Sequence, residues 1–192
     1  QEERIQGSVD MPLSDDGRLR AEELACECAS LDLAALYASP QRRAIETAEA
    51  IAAHHDLPVS AVDDLKECRF GKLEGMTKAE CRVAFLEQLL SYHKADRDER
   101  LLLRLVPDAE SLSDIATRSI RALKEIASRH TGEKIVVVTH GWVMKSLLTY
   151  LHGYDDRSVV VGYCGLLRMR GNATSLEITS HRDVFEESTW AV

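Results

Sequence analysis

Residues Lys134 to Gly153 read KIVVVTHGWVMKSLLTYLHG. The run Ile135 to Val138 is apolar and β-branched with no polar alternation, so it reads as a strand buried on both faces. Thr139-His140-Gly141 follow. A helical pattern then places Trp142, Val143, Leu147, Leu148 and Leu151 on one side, and Gly153 stops it. His140 therefore stands where a strand ends and a helix begins. In an open α/β sheet that carboxyl edge is where ligands bind. The unbonded N–H groups of a helix start favour an anion there. A titratable ring at such a place is a candidate for phosphate chemistry, although taken alone a histidine after a strand is more often a hydrogen-bonded structural residue.

Outward from this stretch, strand and helix signals alternate. Residues 1–16 read as loop, with Ser14 or Asp15 able to cap a helix through about Ser30, whose inner residues are Leu24, Cys28 and Leu31. Ala35 to Ala38 is a short strand. Ser39-Pro40 starts a second helix, with Ala44, Ile45, Ala48, Ile51 and Ala52 on one face. Val59 to Val62 is another short strand, and Leu65 to Thr77 a charged loop. One helix is expected from Lys78 to Tyr92, with Val83, Leu86, Leu89 and Leu90 inward, then an exposed charged segment from His93 to Arg100. Pro107 to Ser111 leads into a long helix to about Arg129, with Leu112, Ile115, Ser119, Leu123 and Ile126 on one stripe. The end reads as a hairpin: Tyr163 to Arg170, a Gly171-Asn172 turn, and Thr174 to Thr179. The alternation predicts an α/β fold with a largely parallel sheet covered on both faces.

The 192 residues suit a single domain, 1–192. A net charge of −8 argues against a nucleic-acid or acidic-membrane partner, which needs a basic footprint. No apolar run approaches the roughly 18 to 20 residues that span a bilayer. The first residue is Gln1 rather than Met, which reads as processing or a fragment. Five cysteines at scattered spacings give no zinc pattern and suit a reducing compartment, the cytoplasm or an organelle matrix.

Four patterns carry candidate chemistry. In Ser39 to Ala48, Arg43 sits in the first turns of a helix that follows a strand, where a guanidinium can fork onto phosphate oxygens or simply be solvated. In Leu65 to Gly75, either Glu67 or Glu74 can serve as a proton donor if an apolar wall raises its pKa. Exposed loop carboxylates are the plainer reading. Glu110, before Ser111, needs no role beyond a helix start. His140 is the fourth.

In this order the patterns resemble the histidine phosphatase superfamily, the phosphoglycerate mutase-like family. The matching stretches are RIQGSVDMPLSDDG (Arg4 to Gly17), LYASPQRRAIETAEAIA (Leu36 to Ala52), LKECRFGKLEG (Leu65 to Gly75), PDAESLSD (Pro107 to Asp114) and VVVTHG (Val136 to Gly141). The resemblance implies a three-layer α/β/α sandwich with a mostly parallel central sheet and one phosphate pocket above the strand ends. It implies a phosphomonoester hydrolase or mutase that works on a small phosphorylated metabolite through phosphohistidine, with no metal or cofactor. By position, Arg43 matches the pocket arginine, Glu67 the acid that protonates the leaving oxygen, and His140 the second histidine. Gln6 and Gly7 match the pocket entrance. The short segment between Gly75 and Pro107 is more like the phosphatase branch.

One departure bears on mechanism. The family's nucleophile stands in an Arg-His-Gly-Glu motif at the end of a first, central strand, which falls ahead of Arg4 and outside this sequence. None of the seven histidines takes that position. The expectation is that an upstream segment supplies it; the alternative is an inactive member that serves as a phosphate-binding or structural subunit. Without that strand the sheet has a gap, whose edges can pair with another chain, in a homodimer or a larger assembly.

Overall fold

The computed structural model describes residues 4–186. Its helices are α1 (Asp15–Cys28), α2 (Arg42–Ala52), α3 (Lys78–Ala84), α4 (Leu86–Lys94), α5 (Arg97–Leu102), α6 (Leu112–Arg129) and α7 (Gly141–Leu147). Its strands are β1 (Ala35–Ala38), β2 (Val59–Ala61), β3 (Ile135–Val138), β4 (Val159–Gly171) and β5 (Leu176–Glu186). Strands β2, β1 and β3 form a parallel sheet in that order, and β4 pairs with β5 antiparallel.

Period-two alternation sorts the parallel sheet between two helical layers. Leu36, Val136 and Val138 pack with Leu24, Ala25, Cys28 and Ile51 from α1 and α2. Ala35, Tyr37, Ile135 and Val137 face the other way, onto Ala122 and Ile126 of α6. The α/β arrangement with a parallel sheet is as expected. The burial of β3 is not: all four of its residues are only half-buried. It lies at the edge of its sheet among the described residues, with β1 on one side and no ladder to β4.

Several boundaries differ from the sequence reading. Helix α1 ends at Cys28, and Leu31 lies beyond it, exposed. Helix α2 starts at Arg42, because Ser39-Pro40 continue the extended chain and Gln41 is the cap residue. Strand β2 stops at Ala61. The expected single helix from Lys78 breaks at Phe85, whose φ −132°, ψ 30° is not helical. Its inward stripe fails in the first half, where Val83 is 87% exposed and Leu86 is exposed too, while Leu89 and Leu90 are half-buried. The hairpin is longer than read, and its turn spans Asn172 to Ser175, with the Asn172 side chain accepting from the N–H groups of Thr174 and Ser175.

The segment read as exposed and charged is overturned most clearly. Arg100, on α5, is 1% exposed and donates to Asp156 Oδ1 and Asp155 Oδ1, both at 2.8 Å. Tyr92 donates to the other oxygen of Asp156 at 2.7 Å. This buried network ties α4 and α5 to the chain after α7. There the helix read from the sequence departs from α geometry: α7 passes into a π-helical turn, Leu148–His152, and Gly153, with φ +76°, supplies the left-handed C-terminal stop the sequence announces.

Candidate active site

The site forms at the carboxyl ends of β1 and β3. The Ser39 N–H, just past β1, donates to Val138 O at 2.9 Å, so the two strand ends leave the sheet together. This places Ser39 Oγ 2.7 Å from Nε2 of His140, the residue that caps α7. Both are buried, Ser39 completely. Burial, with Arg43 and Arg118 adding their charge, pushes the imidazole down to about 3, so the ring is neutral at ordinary pH.

Arg43 reaches back from α2. Its Nη1 donates to Val9 O at 2.8 Å and its Nη2 to Gly7 O at 2.9 Å. Burial lowers its pKa, while Glu67, Asp10 and Glu74 favour the charged form. Gly7 is buried at φ +52°, and a Cβ there would meet the Glu74 carboxyl and Phe70. Only glycine fits that approach. Gln6 is exposed, and its carbonyl accepts from the Val9 N–H at 3.0 Å. Of the two glutamates left open by the sequence, Glu74 holds this loop in place, accepting from the N–H groups of Ser8 and Phe70 and from the Ser8 hydroxyl.

Glu67 faces the other wall. One carboxylate oxygen accepts from the Cys68 N–H at 2.8 Å, and the other lies 3.5 Å from the Trp142 N–H, in the first turn of α7. Burial raises its pKa above the ordinary carboxylate range; those two N–H groups and the cations Arg43 and Arg118 pull the other way. Gln41 links the walls: its Nε2 donates to Gly7 O at 3.0 Å, and its Oε1 accepts from the Glu67 N–H at 2.8 Å. Gly7, Arg43, Glu67 and His140 thus come together through Gln41 and Trp142, while Gln6 stays on the outer loop.

Sequence reading missed Ser39, Gln41 and Arg118. Ser39-Pro40-Gln41 was visible as the strand-to-helix join, but nothing local points their side chains at partners far away in the chain. Glu110 was read as a helix start only. In the structure Ser111 and Asp114 form the capping box of α6, and Glu110 pairs with Arg118 instead. His55, His130, His152 and His181 hydrogen-bond elsewhere, to Cys28 O, Tyr37 and Glu133, Ile178 O, and Tyr154 respectively. Among the described residues no group of three or more His, Cys, Asp or Glu is placed to hold a metal ion. None of the described helices is long and apolar enough to cross a membrane.

A buried histidine, an arginine and a half-buried glutamate brought together above parallel strand ends define a class, and comparison with known sequences places the chain in it. The chain belongs to the histidine phosphatase superfamily, branch 1, whose sequence profile matches residues 1–184. It is 36% identical to phosphoglycerate mutase-like protein 4 of Arabidopsis thaliana over 76% of this chain and 63% of that protein. It is 34% identical to the metal-independent phosphoserine phosphatase of the same plant over 75% of this chain and 60% of that one. The matched region thus spans about three-fifths of these two curated relatives' length. The solved structure of Bacillus stearothermophilus YhfR superposes with a TM-score of 0.78 at 27% identity, over 92% of this chain and 87% of that one.

Proposed function

We propose that the chain is that of a phosphomonoesterase that needs no metal and acts on a small phosphorylated metabolite through a phosphohistidine. Arg43 holds the phosphoryl oxygens, Glu67 protonates the leaving oxygen, and His140 stabilises the charge that develops on phosphorus. Gly7 and Gln6 border the entrance. The observation that carries this reading is the half-buried Glu67 carboxyl, held by the Cys68 N–H at 2.8 Å and turned toward the Trp142 N–H at the start of α7, with its pKa raised by burial. A carboxylic acid kept neutral to higher pH is suited to donate a proton. The neutral His140 can take a proton as a phosphate dianion enters beside it.

The reaction needs a nucleophilic histidine, and the reading assigns it to a strand ahead of Arg4 that pairs with the outer edge of β3. Residues 1–192 then form one domain completed by that strand. The same edge is where a homodimer or larger assembly would join by strand pairing. Free thiols at all five cysteines suit a reducing compartment, the cytoplasm or an organelle matrix.

The test is hydrolysis of a phosphomonoester by the protein from its native source, with a chelator present. The expected result is full turnover with chelator, reduced about 10²- to 10³-fold in Arg43→Ala and in His140→Ala, the scale for losing one transition-state donor. Turnover that the chelator abolishes, or that both substitutions leave intact, contradicts the proposal.

A further inference from the structure

We infer that Arg118, on α6, is a positioning residue for Glu67. The inference rests on the reading of Glu67 as the acid. Residues Lys66 to Phe70, which carry Glu67, lie between two short 3-10 turns and join neither sheet. Side chains therefore supply much of the hydrogen bonding that a sheet ladder would give their backbone. Arg118 does this from one side. Its Nη1 donates to Asp64 O and Lys66 O, each at 2.7 Å, and its Nη2 to Glu67 O at 3.3 Å. The remaining donors fork onto Glu110, with Nε to Oε1 at 2.8 Å and Nη2 to Oε2 at 3.1 Å.

Glu110 closes the clamp. Its Oε2 accepts from the Arg69 N–H at 2.9 Å, and its own N–H donates to Arg69 O at 2.8 Å. The Glu67 peptide groups are thus fixed from two directions: its N–H by Gln41 and its C=O by Arg118. From a backbone so held, the carboxyl spans the Cys68 N–H at 2.8 Å and the Trp142 N–H at 3.5 Å.

Chemistry supports a specific role over general stabilisation. The Arg118 and Glu110 side chains are only 15% and 17% exposed. Ion pairs this withdrawn from water often gain nothing over apolar residues of the same size, so their worth lies in geometry. Three carbonyls and a carboxylate arranged around one cation require a planar five-donor group, which lysine lacks. The Arg118 charge also lowers the pKa of both Glu67 and His140, so its loss moves the acid as well as loosening it.

The test compares two esters with the full-length protein. An aryl ester such as 4-nitrophenyl phosphate departs with little protonation, whereas an alkyl phosphate needs the acid. Glu67→Gln should lose about 10²- to 10³-fold on the alkyl ester and far less on the aryl ester. Arg118→Met and Arg118→Lys should show the same selectivity, at about tenfold or more. Arg121→Met, which breaks only an exposed pair with Asp64, should change neither rate. If Glu67→Gln is selective but both Arg118 variants lower the two rates equally, or not at all, the inference fails while the acid assignment stands. If Glu67→Gln is itself unselective, the acid assignment fails and the inference with it. A second readout needs no turnover. Trp142 fluorescence, followed in a Trp190→Phe background, should report Glu67 ionisation, with a transition that Glu67→Gln removes. Arg118→Met should weaken or shift that transition, and a transition unchanged in both amplitude and midpoint overturns the inference.

Discussion

Nε2 of His140 lies 2.7 Å from the hydroxyl of Ser39, a residue 101 positions earlier in the chain, and the pair is buried. Strand pairing alone makes this contact possible. The register Ala38 with Val138 brings the two strand ends level, and the next residues of each chain meet above the sheet. The contact fixes the ring that the proposed reaction uses.

Ser39→Ala leaves that ring nitrogen without its partner. A buried polar group so orphaned costs about 1–3 kcal/mol. Urea unfolding should show a lower midpoint with an unchanged slope. An unaltered midpoint would mean that the hydroxyl is dispensable.

Acid stability should report His140. Its pKa is near 6.5 unfolded and about 3 folded. Between those values the unfolded chain binds the extra proton, so stability falls as pH falls through that window. In His140→Gln this component is absent. The loss of unfolding midpoint between pH 7 and pH 4 should be smaller in the variant than in the parent protein.

Glu67 has the opposite sign. Its folded pKa is raised above the ordinary 4.5, so the folded state holds the proton longer than the unfolded one. Stability from this group is complete below 4.5 and declines as pH rises toward the folded value. Glu67→Gln should therefore gain stability relative to the parent as pH rises, while losing turnover of alkyl phosphates. Thermal melts at a series of pH values would check the first half.

Arg100→Met removes one member of a buried ion-paired group and takes the balancing charge from Asp156, which is 2% exposed and keeps the Tyr92 hydroxyl. Breaking a buried pair in this way costs about 3–5 kcal/mol. The melting temperature should drop by roughly 10 °C, at 2–4 °C per kcal/mol for a chain of this size. A drop under about 2 °C would show that Asp155 and Asp156 rearrange without cost.

What the sequence revealed follows from the range of the forces involved. The β3–α7 unit was legible because apolar period, helix start and Gly153 are local signals. So was α6, with its Ser111 cap. Arg43, Glu67 and His140 were legible as positions at strand ends and in a loop between them. Their partners were not. Arg118 stands off the apolar stripe of α6, and its carbonyl acceptors come from residues more than 50 positions away. Arg100 sits in a charged run, and the carboxylates that balance its buried charge, Asp155 and Asp156, lie more than 50 positions away. The stripe through Val83 and Leu86 looked continuous because a break at Phe85 leaves no compositional mark.

The most direct test of the central claim is a search for a phosphoenzyme in the protein from its native source. The protein would be mixed with a labelled phosphomonoester in the presence of a chelator and stopped within the first turnover. The account predicts label that is stable to alkali, released by acid, and carried on a histidine in a peptide that precedes Arg4. Label on serine or aspartate, label that appears only when a divalent metal is restored, or the absence of both label and turnover would contradict it.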